Sequence, residues 1–197
     1  DGGAAGERGS RHRGRWVPGA PPLRDDRDPA ARATNEELAT LAKRRKLAEA
    51  EARFSAGPVN AHSYSILANA HATCGGSSGA VGVLDRMEAA GLRPNVVVFT
   101  TVLKACCAAG GNLLAAREVL ARMENGGPAA RPNLRTANTL LRGCLWGGDL
   151  ELAEHAWGRL RLWRVAPDTS SAGTLVALRA ASLAVPAEAA GAASGDL

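Results

Sequence analysis

Aromatic side chains are scarce in this sequence, at 4% of 197 residues, and no hydrophobic run is long. Hydrophobic residues reach 46%, but many of them are alanine. The core must therefore be built mainly from Ala, Leu and Val, the mixture that closely packed helices use. No run approaches the ~18 apolar residues that a membrane-spanning helix needs, so no membrane segment is predicted.

Cysteine and histidine lack the spacing of a disulfide framework or a metal site. The four cysteines, Cys74, Cys106, Cys107 and Cys144, contain no C-x-x-C pair, and the four histidines are scattered along the chain. We therefore predict reduced, structural thiols and no metal site.

Catalytic motifs are missing too. The sequence contains no G-x-x-x-x-G-K-[ST], no H-x-E with P-C-x-x-C, and no cluster of aspartates for magnesium. Paired acids such as Glu36 and Glu37 fit helix caps or solvated charge. We expect no enzyme activity and no cofactor. The net charge of +5 suits a polyanionic partner but does not by itself identify one.

Both ends of the chain have the composition of disordered segments. Residues 1–33 are rich in Gly, Pro and Arg, and a Gly/Ala tail follows Pro186 over 186–197. The chain does not begin with methionine, which indicates a fragment, a processed form or a partial gene model. The acids Asp25, Asp26 and Asp28 are atypical of a transit peptide, so no targeting peptide is identified.

A Pro-Asn or Pro-Asp dipeptide recurs at nearly equal intervals. Taken as the ends of repeats, these dipeptides (Pro94-Asn95, Pro132-Asn133 and Pro167-Asp168) define the units 61–95, 96–133 and 134–168, which are 35, 38 and 35 residues long.

Each unit carries two apolar stripes with the spacing i, i+3, i+4, i+7, which places four side chains on one face of a helix. The first stripes are Tyr64/Leu67/Ala68/His71, Phe99/Val102/Leu103/Cys106 and Ala137/Leu140/Leu141/Cys144. The second stripes are Ala80/Val83/Leu84/Met87, Ala116/Val119/Leu120/Met123 and Ala153/Ala156/Trp157/Leu160. Between them lie the glycine pairs Gly75-Gly76, Gly110-Gly111 and Gly147-Gly148, where a helix can end in a left-handed turn. Each unit is therefore predicted to be helix–turn–helix, with the surplus residues of the middle unit in its loops.

One helix pair cannot bury its apolar face alone, so the units are predicted to stack as an all-α solenoid. Residues 169–185 begin a partial repeat, with Ala172, Leu175, Val176 and Arg179 on its packing face. Residues 34–60 are predicted to be a helical cap or the second helix of a degenerate preceding repeat, helical from Thr34 to Phe54. The basic run Lys43–Lys46 fits a solvated helix face, with phosphate contact as the alternative.

These features resemble the pentatricopeptide repeat family. The likeness lies in the period of 35, Val-Val-x-Phe-Thr-Thr-Val-Leu opening a unit, Ala-x-x-Val-Leu-x-x-Met in the second helix, and Val165-Ala166-Pro167-Asp168 as an ending. The tetratricopeptide repeat, a protein-binding fold, has a period of 34 and opens with Trp-x-x-Leu-Gly-x-x-Tyr, which no unit here contains. The resemblance implies a right-handed α-solenoid that binds single-stranded RNA at one base per repeat.

In the family, the fifth and last residues of a unit contact the base, and the second residue wedges between bases. Matched by position, the reading pairs are Ser65/Asn95, Thr100/Asn133 and Asn138/Asp168, and the wedges are His62, Val97 and Arg135. A small hydroxyl with Asn implies adenine, and Asn with Asp implies uracil, so the implied target contains 5′-AAU-3′.

Structural roles for the same residues stay open at this point. Ser65, Thr100 and Asn138 can cap or solvate helix starts, and the unit-ending Asn and Asp side chains can cap the next helix. Arg135 also fits a solvated surface charge.

The resemblance implies a role in organellar RNA processing, stability or translation, in a chloroplast or mitochondrion. The alternatives are a protein–protein scaffold of the tetratricopeptide type and the RNA-specificity arm of a larger enzyme. A protein partner is compatible with each of these functions.

Overall fold

The computed structural model describes residues 25–108 and 111–183; Gly110 and the predicted disordered residues 1–24 and 186–197 lie outside this part of the chain. Its secondary structure is helical, and the described ranges contain no strand. The α-helices are α1 Pro29–Lys43, α2 Leu47–Ala56, α3 Ala61–Cys74, α4 Ser77–Ala89, α5 Val96–Cys107, α6 Leu113–Asn125, α7 Leu134–Gly147, α8 Leu150–Trp163 and α9 Thr169–Leu183.

The helices form pairs that stack side by side. The first helices of successive pairs, α1, α3, α5, α7 and α9, pack against one another in that order. Each second helix (α2, α4, α6 and α8) packs against the first helix of its own pair. The three first stripes and the three second stripes predicted from the sequence are buried, except for the half-buried Trp157. The predicted all-α stack of helix–turn–helix units is confirmed.

Local sequence sets where the helices begin and end. Asn60 and Asn133 each cap a first helix in a reciprocal capping box with Ser63 and Thr136, and this satisfies amide groups that have no partner within the helix. At the other end, α3 and α7 stop at glycines with a left-handed backbone, Gly75 at φ 83° and Gly148 at φ 71°.

The middle pair has the longest connections. Residues 108–112 join α5 to α6, and residues 126–133 join α6 to α7 through a short 3₁₀ helix, Pro128–Ala130. Ala130 is fully buried, so this loop adds an apolar contact to the core. The surplus residues of this unit therefore extend its loops and leave both helices intact.

The N-terminal part of the chain differs from the prediction. The single helix expected from Thr34 to Phe54 is wrong: α1 and α2 form a complete pair, and α1 packs on α3 as a first helix. The helix starts at Pro29, capped by Asp28, so the predicted disorder of residues 29–33 is also wrong. The chain turns at Arg45, whose φ of 58° is unusual for a residue with a side chain, and the basic run therefore lies across a turn.

The packing face predicted for the last helix is rotated. In α9, Ser171, Leu175 and Leu178 are buried against the stack, whereas Val176 is 66% exposed and Arg179 is exposed. In the preceding pairs, the positions equivalent to Val176 are buried, namely Ala68, Leu103 and Leu141. Within the described residues, no helix follows α9 to pack on the side that carries Val176. This side of α9 is therefore exposed to solvent.

Ion pairs connect the second helices from one pair to the next. Arg86 of α4 lies 3.0 Å from Glu51 of α2, Arg122 of α6 lies 2.8 Å from Asp85 of α4, and Arg159 of α8 lies 2.8 Å from Glu124 of α6. These pairs are partly exposed, so each adds at most about 1 kcal/mol. Their main consequence is that the charges of these three arginines are neutralised.

Three of the four cysteines are buried free thiols inside the stack. Burial raises the pKa of Cys106 to about 11 and those of Cys107 and Cys144 to about 12, so these thiols stay protonated at neutral pH. Cys107 also lies at a close approach of two first helices, α5 and α7. A Cβ atom built on Gly143 of α7 would lie 2.6 Å from the Sγ of Cys107.

This close approach predicts opposite effects for two glycine substitutions. Gly143→Ala should destabilise the protein by about 1–3 kcal/mol, because the added methyl group overlaps Cys107 and forces α5 and α7 apart. The matched control is Gly158→Ala in α8, where an added Cβ meets no atom within 4 Å. The control should stabilise by about 0.5–1 kcal/mol through helix propensity. Urea unfolding followed by circular dichroism measures both, and equal effects would contradict the assigned packing.

Candidate nucleic-acid interface

A polar groove runs across the exposed side of the first helices, and we call it the first-helix groove. Its part between α5 and α7 encloses about 530 Å³ and is lined by Asn69, Val96, Val97, Thr100, Thr101, Lys104, Asn133, Arg135 and Thr139. Its part between α1, α3 and α5 encloses about 440 Å³ and is lined by Ala39, Ala42, Lys43, His62, Ser65, Ile66, Asn69, Thr73, Val97 and Thr101. The two parts share Asn69, Val97 and Thr101, so they are continuous.

The groove brings together six of the nine site residues predicted from the sequence. Ser65, Thr100 and Asn133 line it among the reading residues, and His62, Val97 and Arg135 line it among the wedges. Asn95, Asn138 and Asp168 lie outside these two linings.

The three wedge residues extend from the start of their helices into solvent. His62 and Arg135 are exposed, and Val97 is 60% exposed, which is unusual for a valine in a helix. Each is the second residue of its unit, and this position turns outward because its neighbours at the third position, such as Ser63 and Thr136, turn into the stack.

The unit-ending residues all cap the following helix. The Asn95 side chain accepts hydrogen bonds from the amides of Val97 and Val98 at 3.0 and 3.1 Å. Asn133 accepts from the amide of Thr136 at 3.1 Å, and Asp168 accepts from Ser171 at 2.7 Å. One carboxamide or carboxylate oxygen is therefore used for capping. The amide nitrogens of Asn95 and Asn133 remain available for a second partner, whereas the second carboxylate oxygen of Asp168 accepts a hydrogen bond from Asn138.

The fifth residues of the three units have different surroundings. The Ser65 hydroxyl donates to the carbonyl of Ala61 at 3.3 Å within its own helix. The Thr100 and Thr136 hydroxyls lie 3.0 Å apart, and Thr100 is only 7% exposed at the floor of the groove. The contact joins α5 to α7, so this fifth residue also holds two units together.

In the third unit, the fifth and last residues contact each other. The amide of Asn138 donates to a carboxylate oxygen of Asp168 at 3.1 Å. The other polar atom of Asn138, Oδ1, is shielded from solvent and has no partner. The sequence-predicted pair Asn138/Asp168 is thus a single hydrogen-bonded unit with one acceptor unused.

Hydrogen bonds also keep Asp168 ionised. The backbone amide of Ser171, and after it the Asn138 side chain, lower the pKa of the Asp168 carboxyl below its ordinary value. Because the pKa is lower in the folded state, this stabilisation is present above the unfolded-state pKa and disappears as the pH falls through the folded-state value. At neutral pH, Asp168 is therefore an anion that only accepts hydrogen bonds.

The N-terminal pair contains an equivalent contact that sequence reasoning missed. Asn35 of α1 donates to the side chain of Asn60 at 3.2 Å, in the same way that Asn138 donates to Asp168. Here, however, Ser63 closes the network by donating to Asn35, and Asn35 and Asn60 are 8% and 2% exposed. This contact is a satisfied, buried clamp between α1 and α3. Only the turn at Arg45 identifies α1 as a first helix, and no glycine or proline marks that turn.

The groove carries positive charge only. Its lining includes Lys43, Lys104 and Arg135 and no Asp or Glu. The arginines of the second helices, in contrast, are paired with acids across the repeats. The groove therefore has a net positive charge that no acid in its lining neutralises.

Neither a metal centre nor a membrane span is found in the part of the chain that the structure describes. No group of three His, Cys, Asp or Glu side chains could hold an ion there. No helix in residues 25–108 or 111–183 has the length and hydrophobicity to cross a bilayer.

Stacked helix pairs with a polar groove on their first helices define the class of α-helical repeat proteins. Two family models match this sequence, the PPR repeat over residues 62–92 and the pentatricopeptide repeat domain over residues 82–133. Residues 62–133 therefore match models of pentatricopeptide repeats, as their sequence resemblance predicts. Comparison with curated proteins gives no match.

Solved structures of similar fold include two RNase P proteins and a maize protein. Nuclear proteinaceous RNase P 2 from A. thaliana has 19% identity and a TM-score of 0.67, over 81% of this chain and 36% of its own. The PPR domain of A. thaliana protein-only RNase P 1, in complex with tRNA, has 19% identity and a TM-score of 0.62, over 78% and 82%. The maize pentatricopeptide repeat protein PPR10, in complex with an 18-nt psaJ RNA element, has 22% identity and a TM-score of 0.64, over 83% and 24%. The chain thus spans about a third of the first of these proteins and a quarter of the last.

The two neighbouring threonines of α5 provide a test of this geometry. Thr100→Val keeps the side-chain shape but removes the buried hydroxyl contact with Thr136, so we expect a loss of about 1 kcal/mol in the free energy of unfolding. Thr101→Val is the matched control, since the Thr101 hydroxyl bonds only to the carbonyl of Val97 in its own helix. Chemical unfolding of both variants measures the difference, and an unchanged Thr100→Val protein would contradict the proposed link between α5 and α7.

Proposed function

We propose that this protein binds single-stranded RNA sequence-selectively along the first-helix groove and thereby influences RNA processing, stability or translation. The observation that carries the proposal is the lining of the groove, in which cations and short polar side chains occur without any acid. Such a surface attracts a phosphate backbone and can bond to the edges of unstacked bases.

The reading pairs supply the chemistry that base edges require. A serine or threonine hydroxyl with an asparagine amide can both donate and accept, which suits the Watson–Crick edge of adenine. Asp168 only accepts hydrogen bonds and suits the N–H donor of uracil, and Asn138 lies beside it in hydrogen-bond contact. With Ser65/Asn95, Thr100/Asn133 and Asn138/Asp168 in order, the proposed target contains 5′-AAU-3′.

His62, Val97 and Arg135 are proposed to separate successive bases. The imidazole ring and the guanidinium group can stack on a base, and the exposed valine gives an apolar surface for the same purpose. Their outward position at the start of each first helix supports this role.

The proposed mechanism is steric. An occupied single strand is protected from nucleases or prevented from folding, and no bond is made or broken by the protein. Three read bases at roughly 1–3 kcal/mol each give only weak to moderate affinity. Binding to a longer RNA therefore depends on additional repeats or on a protein partner.

The comparisons support RNA as the partner, since two proteins of the same fold were solved with RNA. We propose a chloroplast or mitochondrial location on the family resemblance. This chain has the fold of part of a proteinaceous RNase P and spans 36% of that protein. This likeness favours a second candidate function, in which the chain is the RNA-specificity arm of a larger enzyme.

Fluorescence anisotropy with short labelled RNAs at physiological salt tests the proposal. We expect a probe containing AAU to bind more tightly than its scrambled sequence and than probes in which G and C replace these bases. Affinity should fall as salt rises, because bound phosphates release counterions. An apolar protein-binding groove would show neither effect.

The variant Asp168→Asn separates base reading from helix capping. Asparagine is an equally good helix cap, so the fold should be kept with only the loss of the stabilisation that depends on the Asp168 charge, and the acceptor-only carboxylate is removed. We expect the preference for U at the third position to decrease while binding at the AA positions is unchanged. Equal weak binding of wild type and variant to all probes would leave only non-specific attraction to a basic surface.

A further inference from the structure

The exposed stripe of α7 continues beyond the first-helix groove. Arg135, Thr139, Arg142 and Trp146 follow one another at spacings of four, three and four residues, so they share one face of the helix. At about 1.5 Å per residue, Arg142 lies ~10 Å along the helix from Arg135, and Trp146 lies ~6 Å further. The equivalent stripes of α3 and α5 end in Thr73 and Ala108, so only α7 of these three helices ends in an aromatic residue.

Arg142 is positioned to bind an anion rather than an acid of its own chain. It is exposed and makes no ion pair or side-chain hydrogen bond with any described residue. Lys104, which occupies the same position of the preceding unit, is likewise exposed and unpaired within the described residues, and it lines the groove. The two cations therefore lie on adjacent first helices without an acidic partner, in contrast to Arg122 and Arg159 of the second helices.

Trp146 contributes nothing to the core. Its side chain is 60% exposed, whereas Trp163, the last residue of α8, is 5% exposed and donates its ring N–H to Glu124 at 2.8 Å. An indole that is exposed one helical turn from an unpaired guanidinium provides a flat surface for a base beside a contact for its phosphate.

We propose that Trp146 and Arg142 form a nucleotide-binding site outside the three reading pairs, in which the indole stacks on an RNA base and the guanidinium binds a neighbouring phosphate. The site rests on the proposed RNA-binding function and extends it. It takes any base, because stacking uses the face of the ring and not its edge. The absence of acids from the adjoining groove favours a nucleic acid over a cationic partner.

The test uses the whole chain with an AAU-containing RNA and with the same RNA carrying two extra nucleotides at either end. Trp146→Ala should weaken binding of the longer RNA by about 5- to 100-fold, and Trp146→Phe should retain most of the affinity. Arg142→Gln should also weaken binding and reduce the slope of log affinity against log salt by about 0.7. Controls of matched chemistry on the second-helix side are Leu162→Ala and Arg161→Gln, which remove an exposed apolar group and an unpaired charge from α8.

Tryptophan fluorescence gives an independent readout. RNA should quench the emission of wild type, and the quenching should be largely absent in Trp146→Phe. If wild type binds the RNA but Trp146→Ala and Arg142→Gln bind it as the controls do, the site is refuted and the reading pairs stand. If wild type binds no RNA, the proposed function fails and this site fails with it. Quenching of Trp146 by an acidic peptide and not by RNA would overturn the choice of ligand.

Discussion

The packing of each first helix against the first helix of the next pair is the interaction on which the rest of the structure depends. The two helices of a pair pack against each other, but one pair alone leaves apolar surface exposed. The neighbouring pair in the stack buries that surface. Gly143 permits the close approach to Cys107, and the hydroxyl contact between Thr100 and Thr136 crosses the same boundary. The same packing sets adjacent first helices side by side, and the groove consists of the side chains that this leaves in solvent.

The charged side chains differ between the first-helix side and the second-helix side of the stack. Arginines of the second helices meet acids one repeat away, for example Arg122 with Asp85 and Arg159 with Glu124. Lys104 of α5 and Arg142 of α7 meet no acid within the described residues, whereas Arg179 at the end of the stack, on α9, pairs with Glu154 of α8. The protein is only moderately basic overall, yet one side of the stack keeps its charge available for a ligand, and that side also carries the residues expected to contact bases.

The repeat, the helix pairs and the buried stripes could be predicted because each depends on local periodicity and on recurring Pro-Asn or Pro-Asp endings. The N-terminal pair could not, because its turn is made at Arg45 in a left-handed conformation and carries no glycine or proline. The burial of Thr100 depends on how α5 is rotated against α7, which no pattern within α5 encodes. The same limit applies to tryptophan. Trp146 and Trp163 both lie in the last turn of a helix, and only tertiary packing makes the first exposed and the second buried.

The capping role of the unit-ending residues limits which side chains can occupy these positions. Asn95, Asn133 and Asp168 must each hold the amide groups at the start of the next helix, whatever else they contact. Only Asn, Asp, Ser, Thr and, less well, Gly do this without loss of stability. A change of target at this position is therefore restricted to a few short side chains. Any new base preference at this proposed contact position would therefore have to come from another helix-capping side chain.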